Sequence, residues 1–329
     1  MVSDPWQILV TGGAGFIGSN FIRMVLAERP NYSVVNLDAL TYAGNLESLA
    51  DCVHNPKYQF IQGDIRDSAV VERALAGCDA VVNFAAESHV DRSICDSGPF
   101  VSTNVTGTQV LLDACRRMDK CPRFLHIGTD EVYGDLPLDR PDLLFTENTP
   151  LCPSSPYKAA ADLLVLAYHH TFGFPGIITR CSNNFGPFQF PEKVIPLFIT
   201  NLIDGKRVPL YGDGLNVRDW IHVQDHCEAV LLTLEKGELG QVYNVGGCNE
   251  WSNRALTDML LDCMDYDEKM IEPVADRLGH DRRYAIDASK IQNELGWTPQ
   301  HSAWPTGLTK TVEWYRQHET WWRPLKMQS

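Results

Sequence analysis

The stretch Val10-Thr-Gly-Gly-Ala-Gly-Phe-Ile-Gly18 decides the fold class of this 329-residue chain. It ends an apolar run at Ile8–Thr11 that predicts a strand, and it opens an amphipathic run at Ser19–Glu28 that predicts a helix. The glycines at positions 12, 15 and 18 allow a tight turn, close approach of a pyrophosphate, and tight packing of helix on strand. The helix N-terminus offers free amides and a positive dipole to phosphates. In this context we expect dinucleotide binding rather than an ordinary glycine-rich turn.

Apolar runs and amphipathic stretches alternate through the first half of the chain. The predicted strands are Ile8–Thr11, Ser33–Asp38, Tyr58–Gly63, Ala80–Phe84 and Phe124–Thr129, and the predicted helices are Ser19–Glu28, Ser68–Ala76 and Asn104–Met118. Such alternation implies βαβ units and a parallel sheet with helices on both faces. The sequence therefore predicts an α/β protein with a doubly wound parallel sheet of the Rossmann type and a smaller C-terminal α/β substrate-binding domain.

The second half of the chain is less regular. The predicted strands are Gly176–Thr179, Val208–Tyr211 and Val242–Val245, and the predicted helices are Val194–Asp204, Val223–Glu235 and Asn253–Met264. No repeat or low-complexity linker marks a division. We predict a cofactor-binding domain at 1–180 and a substrate-binding domain at 181–329, with segments that cross between the two.

Composition and charge exclude several classes of protein. With 44% hydrophobic and 21% charged residues, the chain is globular rather than disordered. Its 28 basic and 42 acidic residues give a formal net charge of −14, which disfavours nucleic acid and anionic membranes as partners. The N-terminus predicts a strand rather than a signal peptide, and ten cysteines without a Cys-x-x-Cys pair predict reduced thiols in a cytoplasmic protein.

Two histidines raise the question of a metal site. His222 and His226 are four residues apart, which is metal-like spacing on a helix. No third ligand stands at a suggestive position. We therefore prefer a hydrogen-bonded pair at a helix start and predict no metal.

Residues after the second, third and fourth predicted strands are candidates for cofactor contacts. Asp38 ends a strand about 20 residues past the glycines, where a carboxylate bonds ribose hydroxyls and repels a 2′-phosphate; this favours NAD over NADP. Asp64, in Gly63-Asp-Ile-Arg66, either faces the adenine or forms a loop pair with the arginine. The small residues of Ala85-Ala-Glu-Ser-His89 let the backbone pass close to a flat cofactor.

Two adjacent carboxylates follow the fifth predicted strand, in Gly128-Thr-Asp-Glu-Val-Tyr-Gly134. If the strand continues, Asp130 and Glu131 point to opposite faces; if the chain turns there, both can face a pocket. Paired carboxylates in different environments can serve as acid and base in one reaction. A polar exit from a strand fits the spacing equally well.

At these motifs the chain resembles the extended short-chain dehydrogenase/reductases and, within them, the dTDP-glucose 4,6-dehydratases, over nearly its whole length. Thr129-Asp-Glu131 is much more specific to dehydratases than the glycine motif is. The other motifs that carry the resemblance are Asn83-Phe-Ala-Ala-Glu-Ser-His-Val-Asp-Arg-Ser93, Asn183-Asn-Phe-Gly-Pro187, Phe190-Pro-Glu-Lys-Val-Ile-Pro196, Arg218-Asp-Trp220 and Gly279-His-Asp-Arg-Arg-Tyr-Ala-Ile-Asp287.

The resemblance implies a reaction without net oxidation. A tyrosinate removes the C4 hydroxyl proton of the sugar while the C4 hydride moves to NAD⁺. Glu131 then removes the C5 proton, Asp130 protonates the leaving C6 hydroxyl, and the hydride returns to C6. The implied catalytic residues are Thr129, Asp130, Glu131, Tyr157 and Lys158.

The resemblance also implies a cofactor set and a nucleotide-sugar set. The cofactor set is Gly12, Gly15, Phe16, Ile17, Gly18, Asp38, Ala39, Leu40, Thr41, Asp64, Ile65, Ala85, Ala86, Glu87, Thr103, Tyr157, Lys158 and Asn184. The substrate set is Ser88, Thr129, Asn183, Lys193, Val194, Pro209, Leu210, Tyr211, Arg218, Asn253, Arg277 and His280. Members of the family are typically homodimers built through long helices of the cofactor domain, for which Asn104–Met118 and Asp162–His170 are the candidates.

One departure from the family pattern concerns catalysis. The family has Tyr-x-x-x-Lys at a helix start, but here Lys158 follows Tyr157 directly and position 161 is alanine. Either Tyr157 keeps its place and the ribose clamp is lost at Ala161, or Lys158 keeps its place and Ser154 falls at the tyrosine spacing. We expect a chain that folds and binds its ligands but turns over slowly; the competing view is that Tyr157 and Lys158 reach a workable geometry.

Two further readings remain. A non-catalytic protein that binds NAD and a nucleotide sugar fits the alanine at position 161. An epimerase or decarboxylase of the same superfamily fits the glycine motif, but the triplet at 129–131 argues against it.

Overall fold

The computed structural model describes residues 5–88, 90–153, 156–277 and 279–327. Twelve strands are found in this part of the chain. They are β1 (Gln7–Thr11), β2 (Ser33–Asp38), β3 (Tyr58–Gln62), β4 (Ala80–Asn83), β5 (Arg123–Thr129), β6 (Gly176–Cys181), β7 (Asn183–Phe185), β8 (Val208–Tyr211), β9 (Val217–His222), β10 (Val242–Val245), β11 (Glu250–Ser252) and β12 (Ile271–Val274).

The α-helices of the described residues also number twelve. They are α1 (Phe16–Glu28), α2 (Ser68–Leu75), α3 (Val90–Cys95), α4 (Gly98–Phe100), α5 (Thr108–Arg117), α6 (Pro156–Phe172), α7 (Val194–Ile203), α8 (Val223–Lys236), α9 (Asn253–Cys263), α10 (Ser289–Leu295), α11 (Thr306–Gln317) and α12 (Glu319–Lys326). A π-helical segment (Val101–Gly107) joins α4 to α5, and short 3₁₀ helices lie at Leu46–Leu49, Asp130–Tyr133 and Glu268–Met270. No described helix has the length and apolarity needed to cross a membrane.

The sheet order confirms the predicted fold class. Seven strands form one sheet in the order β10-β6-β5-β4-β1-β2-β3, and the pairs β1–β2, β1–β4, β2–β3 and β4–β5 are parallel. Because the order reverses next to β1, the carboxyl ends of β1 and β4 form a switch point, where open α/β sheets bind their ligands. The glycine motif and the turn at Ala85–Glu87 both follow strands at this point.

The central strands are apolar because both faces of the sheet are covered. Four of the five residues of β1 and all four of β4 are buried, which is the pattern of parallel strands packed between helices. Leu9, Val81 and Phe124 belong to one core cluster together with Leu111 of α5 and Val165 of α6. The runs that predicted strands are therefore the residues that fill this core.

The predicted helix Asn104–Met118 differs from the structure at its start. The helical path begins at Gly98, passes through the π-helical segment and continues as α5 to Arg117. Pro99 occupies the first turn, where its missing amide costs nothing. The residue at 107 is glycine because an added Cβ would lie 2.6 Å from Ile65 Cδ1.

The described chain falls into two compact units. Unit 1 comprises Met1–Val132, Ser155–Arg180 and Cys227–Tyr243, and unit 2 comprises Tyr133–Ser154, Cys181–His226 and Asn244–Ser329. The chain thus passes between the units several times. The assignment of cofactor binding to 1–180 and substrate binding to 181–329 remains a prediction.

Unit 2 contains two small sheets and an aromatic core. Its sheets are β11-β9-β7 and the parallel pair β12-β8. The C-terminal tryptophans pack in this core: Trp322 is fully buried, and Trp304 stacks on Trp251 at 5.6 Å between ring centroids.

Candidate active site

The glycine loop of unit 1 is built for close approach of a ligand. Gly12 has φ +69°, a left-handed conformation that favours glycine, and an added Cβ would lie 2.7 Å from the Ala85 nitrogen. A Cβ on Gly18 would lie 2.3 Å from the Gly12 carbonyl oxygen. Gly15 precedes α1 without a side-chain cap, so the first amides of that helix are open to an anion. The loop fits a pyrophosphate between backbone atoms.

Asp38 is tied to this loop. Its carboxylate accepts hydrogen bonds from the Ala14 amide at 2.9 Å and from the Leu40 amide at 2.8 Å. Burial raises the pKa of Asp38, and these two amides oppose that effect. Each oxygen keeps a second acceptor site for a ribose hydroxyl. Leu40 itself has φ +53°, so the chain that carries Ala39, Leu40 and Thr41 bends sharply after β2.

Asp64 forms the loop pair that the sequence allowed. Arg66 donates through Nε to both carboxylate oxygens at 3.0 Å, and this contact lowers the pKa of Asp64. Arg66 also donates to Ser102 in the π-helical segment at 2.6 Å. Ile65 is buried next to them and Thr103 is half-buried in the same segment. The side chain of Asp64 thus braces this segment.

The turn after β4 is held by one buried side chain. Asn104 accepts from the Glu87 amide at 2.8 Å and donates to the Glu87 carbonyl at 2.9 Å. Ala85 and Ala86 are half-buried in this turn, and Ser88 at its end is exposed. The Asn104 side chain therefore fixes the turn through the backbone of Glu87. The small side chains of Ala85 and Ala86 take no part in these hydrogen bonds.

The chain turns at the two carboxylates. β5 ends at Thr129, and Asp130–Tyr133 form a 3₁₀ helix in which Glu131 donates its amide to Thr129 Oγ1 at 3.4 Å. Thr129 Oγ1 also lies 3.3 Å from Asp130 Oδ1. Asp130 is 1% exposed, whereas Glu131 is half-buried. The two carboxyl groups therefore occupy different environments, as an acid–base pair requires.

Tyr157 and Lys158 point in different directions from the first turn of α6. Successive helical residues are about 100° apart. The Tyr157 ring packs on Phe100 at 5.7 Å between centroids, and the Lys158 ammonium donates to the Ile127 carbonyl oxygen of β5. Ala161 is completely buried. A lysine at position 161 would enter the core, so the geometry favours the register in which Lys158 holds the lysine position; Ser154, the alternative tyrosine position, lies outside the described residues.

In unit 2, Asn183 and Asn184 begin β7. The Asn184 amide group donates to the Ser182 carbonyl at 3.0 Å, and its Oδ1 lies 2.8 Å from His226 Nδ1. Burial lowers the pKa of His226 to about 3 and that of His222 to about 4. His222 Nδ1 accepts from the Gln224 amide at 3.2 Å. Both histidines are thus neutral and hydrogen-bonded at the start of α8.

Three basic side chains lie close together in unit 2. The buried Arg218 guanidinium donates to the carbonyls of Val217 and Asp281 and lies 4.2 Å from the Tyr284 ring centroid. Burial lowers the pKa of His280, whose Nδ1 lies 2.7 Å from Asp276 Oδ1; Arg277 and Arg218 lower it further. The Nε of Arg277 is buried and makes no hydrogen bond within the described residues. The two arginines are cations, and with the His280 ring beside them they suit an anionic ligand.

The remaining residues of the predicted substrate set lie at element starts and on one short strand. Lys193 precedes α7, Val194 begins it, and Asn253 begins α9 after the Ser252 cap. Pro209, Leu210 and Tyr211 lie on β8, and Tyr211 is 42% exposed. The structure places these residues in unit 2 and the predicted cofactor residues in unit 1, apart from Asn184.

Sequence reasoning missed the role of several buried charges. Arg283 is 3% exposed; it pairs with Glu250 at 2.8 Å and donates to the Arg140 and Leu143 carbonyls. Its neighbour Arg282 pairs with Asp213 near the surface. Asp162 and Arg180 form a second buried pair at 2.8 Å. No local sequence signal marks either buried pair.

The loop and the sheet order define a dinucleotide-binding Rossmann protein. Comparison with known proteins narrows the class. The family model described as GDP-mannose 4,6 dehydratase matches residues 9–306. The dTDP-glucose 4,6-dehydratase of Streptomyces antibioticus is 51% identical and covers 97% of this chain and 95% of its own length. That of Streptomyces griseus is 52% identical and covers 97% of both chains.

Solved structures agree with this assignment. A dTDP-glucose 4,6-dehydratase from Streptomyces venezuelae with NAD bound has a TM-score of 0.92 at 50% identity over 97% of this chain and 99% of its own. A UDP-glucuronic acid 4-epimerase from Bacillus cereus has a TM-score of 0.86 at 28% identity over 94% of this chain and 99% of its own. The chain belongs to the dTDP-glucose 4,6-dehydratases of the extended short-chain dehydrogenase/reductase family.

Proposed function

We propose that this chain catalyses the NAD-dependent dehydration of dTDP-glucose to dTDP-4-keto-6-deoxyglucose. The observation that carries the proposal is the triplet at the end of β5, where Asp130 is buried and Glu131 is half-buried one residue later. The family membership and the glycine loop that fits a pyrophosphate support it. The activity is that of a lyase in deoxysugar biosynthesis.

The chain's own residues would divide the work as follows. Tyr157 removes the C4 hydroxyl proton, Glu131 removes the C5 proton and Asp130 delivers a proton to the leaving C6 hydroxyl. NAD, held by the glycine loop and Asp38, would supply the hydride chemistry: an acceptor for the C4 hydride and a donor to C6. Burial of Asp130 favours its neutral, proton-bearing form, because a low dielectric penalises a second carboxylate beside Glu131. The basic cluster of Arg218, Arg277 and His280 would hold the nucleotide diphosphate.

The test is a turnover assay with dTDP-glucose and NAD⁺, read by mass spectrometry as the loss of one water. Product formation supports the proposal. Release of a product that has kept its full mass, such as a C4 epimer, would contradict it. The same assay with UDP-glucose and with GDP-mannose measures the preference for the nucleotide base.

We propose further that the Tyr157–Lys158 segment slows turnover. In the structure the two side chains diverge toward Phe100 and the Ile127 carbonyl, whereas the reaction needs tyrosinate and ammonium near one ribose. Displacement of a catalytic group by about 1 Å can cost ~10²-fold in rate. The second candidate function, a protein that binds NAD and a nucleotide sugar without turnover, is the limiting case. Ligand binding without product would favour it.

We also propose a homodimer in the cytoplasm. Leu163, on α6, is 54% exposed, which is unusual for a large apolar side chain and supports a covered helix face. All ten cysteines are free thiols, which supports a reducing compartment. Sedimentation of the chain and of Leu163→Asp tests the dimer: the substitution should yield monomers. An unchanged dimer would place the interface elsewhere.

A further inference from the structure

A row of buried polar side chains crosses the sheet of unit 1. Its members, here named the buried polar chain, are Thr11 on β1, Asn83 on β4, His126 on β5, Asp162 on α6 and Arg180 on β6; each is at most 2% exposed. Thr11 and Asn83 are the last residues of their strands, at the switch point. Buried polar groups are costly unless they are hydrogen-bonded, so their mutual geometry decides what they do.

The contacts between these side chains form a continuous series from Thr11 on β1 to Arg180 on β6. Thr11 Oγ1 donates to Asn83 Oδ1 at 2.6 Å, and Asn83 Nδ2 lies 3.1 Å from His126 Nδ1. His126 Nε2 lies 3.6 Å from Asp162 Oδ1, and Arg180 Nε donates to Asp162 Oδ2 at 2.8 Å. Within the described residues, neither His126 Nε2 nor Asp162 Oδ1 makes a hydrogen bond. The 3.6 Å between them exceeds hydrogen-bond length, so the pair is an electrostatic contact between two buried groups.

The contacts also fix the protonation of His126. Nδ2 of Asn83 can only donate, so Nδ1 of His126 accepts and the ring proton lies on Nε2, facing the carboxylate. The opposite orientation of Asn83 would turn a ring lone pair toward Asp162. Burial, together with Lys158 and Arg180, lowers the pKa of His126 well below its usual value, so the ring is neutral.

Lys158 lies next to the buried polar chain. It precedes Asp162 by four residues, so both lie on one face of α6. Its ammonium donates to the carbonyl of Ile127, the residue after His126. It also influences the titration of both His126 and Asp162. The Asp162 carboxylate thus interacts favourably with two cations, Lys158 and Arg180, and offsets their mutual repulsion.

We propose that His126 and Asp162 are positioning residues that fix the place and direction of Lys158 in the first turn of α6. The inference rests on the proposed function. The positioning of Lys158 matters in this chain because Lys158 follows Tyr157 directly. Asp162, one helical turn later, then sets the direction of the lysine side chain. Asn83 and Thr11 extend the same constraint to the end of β1, where the glycine loop begins.

The first test does not depend on activity. Nitrogen-15 NMR of the histidine rings, with His126→Phe to identify the resonance, should show a neutral His126 protonated on Nε2 between about pH 6 and 8. A proton on Nδ1, or an imidazolium, would overturn the proposal.

The second test is a double-mutant cycle of Asp162→Asn and Lys158→Met. If Asp162 acts through Lys158, Asp162→Asn weakens NAD binding about tenfold and lowers kcat about 10²-fold with little change in the KM for dTDP-glucose, and it adds nothing in the Lys158→Met background. Independent, multiplying effects would overturn the proposal. His126→Gln, which keeps a donor toward Asp162, should retain more NAD affinity than His126→Leu; equal losses would also contradict it.

A matched control is Asp225→Asn. Asp225 is a fully buried carboxylate of unit 2 that accepts from the Gln300 and His301 amides, so its loss should lower Tm without affecting NAD affinity. If the unsubstituted protein fails to convert dTDP-glucose, the proposed function is wrong. The His126 tautomer and the double-mutant cycle measured by NAD affinity still decide the role of the buried polar chain. If Asp162→Asn does not fold, the NMR result and the His126 pair decide it.

Discussion

Adjacent carboxyl groups differ in burial at the centre of this site. Asp130 is enclosed at the start of the 3₁₀ helix, whereas Glu131 reaches solvent. Burial favours the neutral form of a carboxyl group, and a neighbouring carboxylate adds to that preference. We propose the role of acid for the buried Asp130 and the role of base for the more exposed Glu131.

Substitution of each carboxyl group should stop the reaction at the same stage. Glu131→Gln leaves C5 without a base and Asp130→Asn leaves the C6 hydroxyl without an acid, so each should lower kcat by about 10²–10⁴-fold while oxidation at C4 persists. The measurement is product formation alongside the absorbance of reduced cofactor. The reduced form should accumulate in both variants; if it does not, the two residues act before the elimination.

Gly12 tests the glycine loop. Gly12→Ala adds a Cβ at 2.7 Å from the Ala85 nitrogen and forces a left-handed alanine, which costs ~1–2 kcal/mol by itself. NAD affinity should fall by more than tenfold, measured by titration calorimetry. Gly205→Ala is the control, because Gly205 has φ +66° and nothing within 4 Å of an added Cβ. Unaltered NAD affinity in Gly12→Ala would refute the assigned loop.

Helix α6 is the element on which catalysis depends most. It begins at Pro156, and its first turn carries Tyr157 and Lys158 on different faces. A loss of three residues would shift a helix by ~4.5 Å, which is why we expect slow turnover from this segment.

Restoring three residues after Tyr157 should raise turnover. Insertion of Ser-Ala-Ser there restores the spacing of four to Lys158, and kcat should rise at least tenfold if the short segment is what limits it. The same insertion after Gly173, in an exposed turn, is the control and should leave kcat unchanged. No gain from the first insertion would mean that Tyr157 and Lys158 already reach a workable geometry.

Elements of the first half could be predicted from their sequence because their periodicity is set by burial. β1 and β4 each contain an uninterrupted apolar run, and β2 and β5 are apolar with single polar interruptions. Short runs of this kind indicate buried parallel strands. The π-helical segment Val101–Gly107 could not be predicted, because its shape is imposed by contacts such as that of Gly107 with Ile65. Local sequence does not encode a partner 42 residues away.

For the whole molecule, the positions of the glycine loop and Asp38 follow from their motifs, whereas the buried charge pairs do not. At Thr129 the sequence left a continued strand and a turn open, and the chain turns. The buried pairs Arg283–Glu250 and Asp162–Arg180 carry no local motif. Whether a charged side chain lies inside or outside depends on partners that are distant in sequence. The residues that bind substrate remain predictions for the same reason.

Stability of the whole molecule should fall in acid through two histidines. The folded pKa is about 4 for His222 and about 3 for His226, below the unfolded value of about 6.5. Below that value the unfolded chain binds protons that the folded chain does not, so stability falls as pH drops from about 6.5 toward 3, by up to ~1.4 kcal/mol per pH unit for each histidine. Urea unfolding across this range measures the slope.

His226→Gln should flatten that slope by about one proton. The control is His170→Gln, since His170 is exposed and should leave the slope unchanged. A slope that His226→Gln does not alter would show that other groups govern the acid transition.

The most direct test of the proposed dehydration traces the hydrogen at C4 of the sugar. The chain is incubated with NAD⁺ and dTDP-glucose that carries deuterium at C4, and the product is examined by mass spectrometry and NMR. We expect a 4-keto-6-deoxy sugar that has lost one water and carries the deuterium at C6. The reason is that the hydride removed at C4 returns to C6 within the same site. A product without dehydration, or one with deuterium lost or still at C4, would contradict it.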